Sequence, residues 1–253
     1  MLKALGATTQ RMMATTLEQK LKTLQEFAAC DVSDALLKLQ KVPKGTTPHA
    51  GYLSDITPFA PFIGRREDQP KIIAPASTFK FIPKDEAVPD IQPVEKHGFP
   101  AGKHWVDWAQ PGTIAVLEQP AGQTCAVLGG IMAARMKYLG VQGVVVNGRV
   151  RDLAELKSSE LPVYARATST VGTGAAAKPG ARDVPVSFGG VTVSPGDIIF
   201  CDPLEGVVAI PRDLLDAVLE LMPKLVAQDD KVKEDVVNGS GVAEAFKKHR
   251  SNL

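Results

Sequence analysis

Cysteine is scarce in this chain. Cys30, Cys125 and Cys201 are odd in number and far apart, which excludes a disulfide framework and any recognisable zinc motif. All three sit in apolar sequence contexts, so they read as buried thiols in a reducing compartment. An excess of charge of one sign is also missing. Lys and Arg total 29 against 28 Asp and Glu, and a net charge of +1 falls short of the basic excess of a general nucleic-acid-binding surface. No apolar run approaches the roughly 18–20 residues that span a bilayer, so no membrane partner is expected. The phosphate-cradling pattern G-x-x-x-x-G-K-[ST] is absent from the glycine-rich loop at 171–180. The glycine turn at 129–130 lacks G-x-G-x-x-G after a strand and a suitably placed ribose-binding acid, so a Rossmann site is excluded. There is no internal repeat and no low-complexity tract. With 44% hydrophobic and 23% charged residues, the 253-residue chain has the composition of a soluble globular protein of one or two domains.

The most informative stretch runs from Cys125 to Leu156. Gly129-Gly130 opens a helix whose apolar face Ile131, Ala134, Met136, Tyr138 and Leu139 can supply. Gly140 stops that helix, and Gly143–Val146 reads as a strand buried on both faces. Asn147-Gly148 then turns the chain, and Arg151-Asp152 follow at the mouth of this apolar element. Glycine turns at helix starts present backbone N–H groups to anions. Arginine offers a planar fork for a carboxylate, and aspartate is a hard oxygen ligand for Mg²⁺ or Mn²⁺. Together these could hold a small anionic substrate against a metal. The competing reading is a surface ion pair capping a helix at Leu153.

Around this stretch the chain alternates short strands and helices, which predicts a mixed α/β fold. Residues 1–16 carry Lys3 and Arg11 and no acid, a composition compatible with a ragged terminus or a mitochondrial presequence. Cytoplasmic location is the expectation, with the mitochondrion as the alternative. Leu17, Leu21, Leu24 and Phe27 form one helical stripe, and a second helix starts near Asp31, with Asp31 or Ser33 as caps. Asp31 and Asp34 are minor candidates for the site. Residues 43–70 are rich in Pro and Gly. Ile72–Phe81 contains a strand that Pro75 makes irregular or an edge. A second loop reaches Lys103, and His97, His104, Trp105 and Trp108 in or beside it read as surface packing, with a substrate site as the alternative. Residues 171–180 read as a flexible loop able to close over a ligand. Pro185–Phe188 and Val191–Val193 flank Gly189-Gly190 as a hairpin. A helix from Pro211 is expected to kink or split at Pro223, and a last short helix spans Val242 to Lys248.

The pattern G-G-I-M, eighteen residues, then R-D resembles the family of 4-hydroxy-4-methyl-2-oxoglutarate aldolases, which also contains the regulator of ribonuclease activity A (RraA). Asp31-Val-Ser-Asp-Ala-Leu, Pro162-Val-Tyr-Ala-Arg166, Gly189–Asp197 and Asp202-Pro-Leu-Glu-Gly-Val-Val extend the likeness in family order over residues 17 to 246. The resemblance implies a β/β/α swivelling-type sandwich over 17–253, with N- and C-terminal helices, assembling as a homotrimer or hexamer. It also implies a divalent metal, Mg²⁺ or Mn²⁺, held by Asp152. A 2-oxo acid would place its carboxylate on Arg151 and on the backbone N–H groups of Gly129, Gly130, Ile131 and Met132. Such a site cleaves 4-hydroxy-2-oxo diacids or decarboxylates oxaloacetate through the pyruvate enolate, which the metal stabilises as a Lewis acid.

Two departures stand out. Relatives commonly carry an acid where this chain has Gly130, and another after the buried strand, where it has Asn147. Arg149 is an added cation that reads either as a holder of a distal carboxylate or as exposed. In the resembled family the tail reaches a neighbouring subunit, so Asp229, Asp230 or Glu234 could lend a carboxylate across an interface. Two other functions compete with the metal-dependent lyase: a non-catalytic protein-binding regulator, and a Schiff-base aldolase using Lys137.

Overall fold

The computed structural model describes residues 15–250 of the chain. Two helices open it, α1 (Leu17–Leu24) and α2 (Ala29–Leu39), followed by strands β1 (Thr57–Ala60) and β2 (Ile72–Pro83). A short helix α3 (Val94–His97) and a single 3-10 turn (Trp105–Trp108) lead into β3 (Ile114–Glu118). Then come α4 (Gly130–Tyr138), β4 (Gly143–Val150), α5 (Leu153–Ser158) and β5 (Val163–Thr168). Strands β6 (Ala177–Arg182), β7 (Val186–Phe188), β8 (Val191–Val193), β9 (Ile198–Asp202) and β10 (Gly206–Ile210) precede α6 (Leu215–Val237) and α7 (Val242–His249).

The main sheet runs β1-β5-β4-β3-β2-β9-β10, with β6 also paired to β2. Strands β2 to β5 are parallel, β9 runs antiparallel to β2, and β10 runs antiparallel to β9. The separate hairpin β7-β8 covers one face. The period-2 alternation of strands sorts β3 and β4 between two cores. Ala115, Leu117, Val144 and Val146 pack with Ala133 and Met136 of α4 and Leu156 of α5. Ile114, Val116 and Val145 pack with Phe188 of the hairpin. A third core joins α1, α2 and α6 to Phe200 and Val208. Burying valines and leucines of this kind contributes about 1.5–3 kcal/mol each. The expected β/β/α sandwich with terminal helices is thus the fold observed.

Several local expectations change. Strand β2 is central, because Pro75 falls at a handover. It is the last residue paired with β9, and pairing to β3 begins at Ala76, so the missing N–H breaks no ladder there. Asn147-Gly148 does not turn the chain. Strand β4 continues to Val150 through a register shift between Val146 and Arg149, where Gln119 accepts from the Arg149 N–H at 2.8 Å. The last four residues of the expected 171–180 loop belong to β6, held on β2. Helix α6 runs 23 residues through Pro223 without splitting.

On α4 the buried residues are Gly130, Ala133 and Met136, whereas Ile131 and Tyr138 are 75% and 80% exposed. Cys30 is exposed, while Cys125 and Cys201 are buried as expected. Neither Asp31 nor Ser33 occupies the N-cap of α2. Ala28 does, its N–H donating to Asp31, while the Ser33 hydroxyl donates to the Ala50 carbonyl. The presequence question lies in residues 1–14, outside the described residues, apart from Thr15 and Thr16. No helix among the described residues is long and apolar enough to cross a membrane.

The last helix is fastened by charge. Asp235 on α6 accepts from Lys248 Nζ and meets His249 Nε2, each at 2.8 Å. Lys248 and then His249 hold the Asp235 carboxyl below its usual range. A depressed carboxyl contributes stability above its unfolded pKa of about 3.9, and that stability is lost as pH falls through the folded value. Amide exchange in α7 is therefore expected to quicken below about pH 4 ahead of exchange in the sheet, and unchanged relative protection there would contradict this fastening.

Candidate functional site

The predicted site residues converge because residues 125–128 run beside the end of β4. The Val127 N–H donates to the Arg149 carbonyl at 2.9 Å, and the Arg151 N–H donates to the Leu128 carbonyl at 3.0 Å. This pairing lays Gly129, the N-cap of α4, directly against Arg151-Asp152. A Cβ at Gly129 would lie 2.6 Å from Asp152 Oδ2 and 3.3 Å from Arg151 Nε. A Cβ at Gly130 would overlap the Glu155 side chain. Gly129 is therefore required by the close approach of Arg151-Asp152, and Gly130 by that of Glu155 on α5.

Asp152 adopts left-handed backbone angles, φ 59° and ψ 48°. Aspartate tolerates this region better than most residues. As N-cap of α5 its backbone carbonyl accepts from Leu156 at 2.9 Å, but its side chain makes no cap for that helix. The carboxylate crosses to α4 instead, accepting from the Gly130 N–H at 3.3 Å and from Arg151 Nε at 3.2 Å. An anion at a helix N-terminus is favoured by the unpaired N–H groups and the macrodipole. The ion-pair reading was right about the pair and wrong about which helix its side chain caps. The Arg151 Nη groups make no hydrogen bond among the described residues, and a Cβ at Gly172 would stand 2.9 Å from Nη1.

Arg151 and Asp152 open onto a cavity of about 660 Å³. Gly129, Ile131 and Met132 line it as expected, with Val127 and Leu128 beside them. Gly130 does not line it, its N–H being turned to Asp152. Gly172–Gly174 and Ala177–Pro179 form another side. His104 and Trp105 line the cavity too, with Val88, Phe99 and Lys103, so the loop read as surface packing is a wall of the site. His97 faces elsewhere, its Nδ1 3.3 Å from the Arg182 carbonyl. Sequence reasoning missed Lys178 and Phe99, which no spacing singles out.

Other candidates lie apart. Arg149 borders a second cavity with Arg166 and donates to the Thr168 carbonyl at 2.9 Å. Asn147 likewise faces that second cavity, accepting from Arg166 Nε. Lys137 donates to the Glu160 carbonyl at 3.0 Å and does not line the main cavity. Asp34 and Asp229 border a different hollow with Arg250, and Asp230 pairs with Lys233 at 3.6 Å. Glu234 lies on α6, and neither it nor Asp31 lines the main cavity.

Among the described residues no group of three or more His, Cys, Asp or Glu is placed to hold a metal ion. The donor set is instead one cavity-lining carboxylate, Asp152, with Glu155 filling the place of a side chain at Gly130. Such a sparse set suits Mg²⁺, which keeps several waters and takes one or two carboxylates plus substrate oxygens.

A family model described as "RraA-like: Aldolase/RraA" matches residues 29–209. A Halalkalibacterium halodurans protein named provisionally as a 4-hydroxy-4-methyl-2-oxoglutarate aldolase is 33% identical over 135 residues, 53% of this chain and 63% of that protein. Protein DlpA of Legionella pneumophila is 28% identical over 177 residues, 69% of this chain and 27% of that protein. The chain thus spans less than two thirds of either relative. Among solved structures, an uncharacterised Pseudomonas syringae protein superposes with a TM-score of 0.67 at 21% identity, covering 92% of this chain and 99% of that one. An unusual Streptomyces coelicolor member of the RNase ES inhibitor RraA family gives 0.63 at 24% identity, covering 90% and 100%. At these identities the likeness speaks for the fold.

Proposed function

We propose, on the premise that this chain belongs to the RraA-like (Aldolase/RraA) family, that it is a divalent-metal-dependent carbon–carbon lyase acting on 2-oxo acids. The observation that carries this reading is the Arg151-Asp152 pair at the start of α4, opening onto a cavity with Arg151 Nη groups that make no hydrogen bond among the described residues. The Arg151 fork binds the substrate carboxylate. Asp152, oriented by the Gly130 N–H and by Arg151 Nε, is the residue that would hold the metal. When bound, Mg²⁺ or Mn²⁺ supplies Lewis-acid stabilisation of the charge that develops on the 2-oxo oxygen.

In retro-aldol cleavage the 4-hydroxyl gives its proton to a water in the cavity, its C–O bond becomes the carbonyl of the departing fragment, and the C3–C4 bond breaks. Its electron pair moves into the carbonyl to give the pyruvate enolate, which is then protonated at C3. Oxaloacetate reaches the same enolate without a deprotonation: its 4-carboxylate leaves as carbon dioxide when the C3–C4 bond breaks, and the enolate is protonated at C3. Lys137, outside the cavity, gives no support to a Schiff-base route. A homotrimer or hexamer is part of this reading, and the exposed Ile131 and Tyr138 on one face of α4 support a subunit contact beside the cavity.

The test is pyruvate release from oxaloacetate and from 4-hydroxy-4-methyl-2-oxoglutarate, corrected for metal alone. Turnover with Mg²⁺, abolished by EDTA and insensitive to borohydride, is the expected result. No turnover on either substrate by folded, Mg²⁺-loaded protein, together with retention of a ribonuclease on the immobilised chain, would replace this reading by the protein-binding regulator.

A further inference from the structure

We infer that the cavity is built for a 2-oxo acid whose far end is a bulky apolar group of aromatic size. This rests on the lyase reading above and concerns which substituent leaves as the carbonyl fragment. The wall facing the glycine turn comes from residues 84–109 between β2 and β3, and it contributes Val88, Phe99 and Trp105. Together with Val127, Leu128, Ile131 and Met132 these give the cavity a mainly apolar lining, which Lys103, His104 and Lys178 share.

The wall is anchored. Trp105 is 7% exposed and is held edge-on by Phe79 and Phe81, at centroid distances of 5.5 and 5.1 Å. Buried Arg182 of β6 donates to the Gly98 carbonyl at 3.0 Å and to the Glu95 carbonyl. Its guanidinium lies 4.1 Å from the centre of the Trp108 ring, and Lys103 Nζ lies 4.0 Å from the same ring centre. A wall fixed in advance adds little ordering cost when a ligand packs on it. A volume of about 660 Å³ lies within the range that encloses drug-sized ligands. A four-carbon acid seated on Arg151 would leave Phe99 and Val88 against water, forgoing the apolar burial this surface offers.

Two substrates with the same reacting atoms isolate the substituent. These are 4-hydroxy-2-oxopentanoate, which yields pyruvate and acetaldehyde, and 4-hydroxy-4-phenyl-2-oxobutanoate, which yields pyruvate and benzaldehyde. With the full chain and Mg²⁺, kcat/KM for the phenyl substrate is expected to exceed that for the methyl one by at least about tenfold, the scale of discrimination apolar pockets reach. Phe99→Ala should bring the ratio towards one, and Val88→Asp, at a position 56% exposed, should do so without cutting into the core. Calorimetric binding of phenylpyruvate against pyruvate gives a second readout independent of turnover. Cleavage of both substrates with a ratio of one or below would overturn the inference and leave the lyase standing. No cleavage of either would overturn the lyase reading, and binding then decides the inference: phenylpyruvate no tighter than pyruvate would overturn it as well.

Discussion

Arg151→Ala is expected to lower kcat/KM for pyruvate release by about 10²–10³-fold, the range observed when a single charge-stabilising donor is removed from an active site. Two losses coincide in this variant. The substrate carboxylate loses its planar partner, and Asp152 Oδ2 loses the Nε hydrogen bond at 3.2 Å that helps fix its direction. Arg151→Lys should recover only part of the loss, because a point-charge ammonium cannot serve the substrate carboxylate and Asp152 as two arms of one fork. Folding should be little changed, since the Arg151 side chain is 41% exposed and its ion pair is of the half-exposed kind that adds at most about 1 kcal/mol. Near-wild-type turnover by a folded Arg151→Ala protein would remove this residue, and with it the present account of the site.

Legibility in the sequence followed the reach of each signal. The G-G turn, the buried run Gly143–Val146 and Arg151-Asp152 were readable because each depends on neighbours close in the chain. The direction of the Asp152 side chain was not. Its left-handed backbone turns the carboxylate away from its own helix, a conformation that no spacing announces. Arg149 and Arg151 are two residues apart and would share a face in a regular strand. The register shift before Arg149 and the end of β4 at Val150 instead send them to different cavities. Asn147-Gly148 favours a turn by local propensity, but the pairing of Asn147 with Glu118 of β3 and the hydrogen bonds of Gln119 on either side keep it in the strand. The edge position expected from Pro75 fails for the same reason, since tertiary context decides whether a missing N–H matters. The far wall was the least legible part. Val88, Phe99, Lys103 and Trp105 follow no strand or helix period, and what brings them to the cavity is Arg182, some eighty residues away.

Asp202→Ala should cost about 3 kcal/mol of stability, the largest folding effect expected of a single polar residue away from the cavity. The Asp202 side chain is buried at the turn from β9 to β10, the residue being only 4% exposed. It accepts from the Leu204 N–H at 3.0 Å and the Glu205 N–H at 3.2 Å, which shapes that turn. It also accepts from the Ala29 N–H at 3.3 Å, and Ala29 is the first residue of α2, whose N-cap Ala28 has no side-chain oxygen to offer. One carboxylate thus serves as the missing cap of a helix 173 residues away in sequence and ties α2 to the sheet. Alanine would leave three backbone donors without their acceptor and an anion-sized space behind, and Val32, Ala35 and Leu36 of α2 would pack less firmly on Phe200 and Val208. Asp202→Asn keeps an acceptor oxygen without the charge and should lose roughly half as much, because charge-assisted hydrogen bonds are about twice as strong as neutral ones. At about 2–4 °C per kcal/mol for a chain of this size, the alanine variant should melt about 6–12 °C lower at matched protein concentration. Since Asp202 does not line the cavity, pyruvate release at 25 °C should persist. A melting temperature equal to wild type would show that α2 does not depend on this carboxylate, and loss of activity without loss of stability would place Asp202 in the chemistry instead of in the frame.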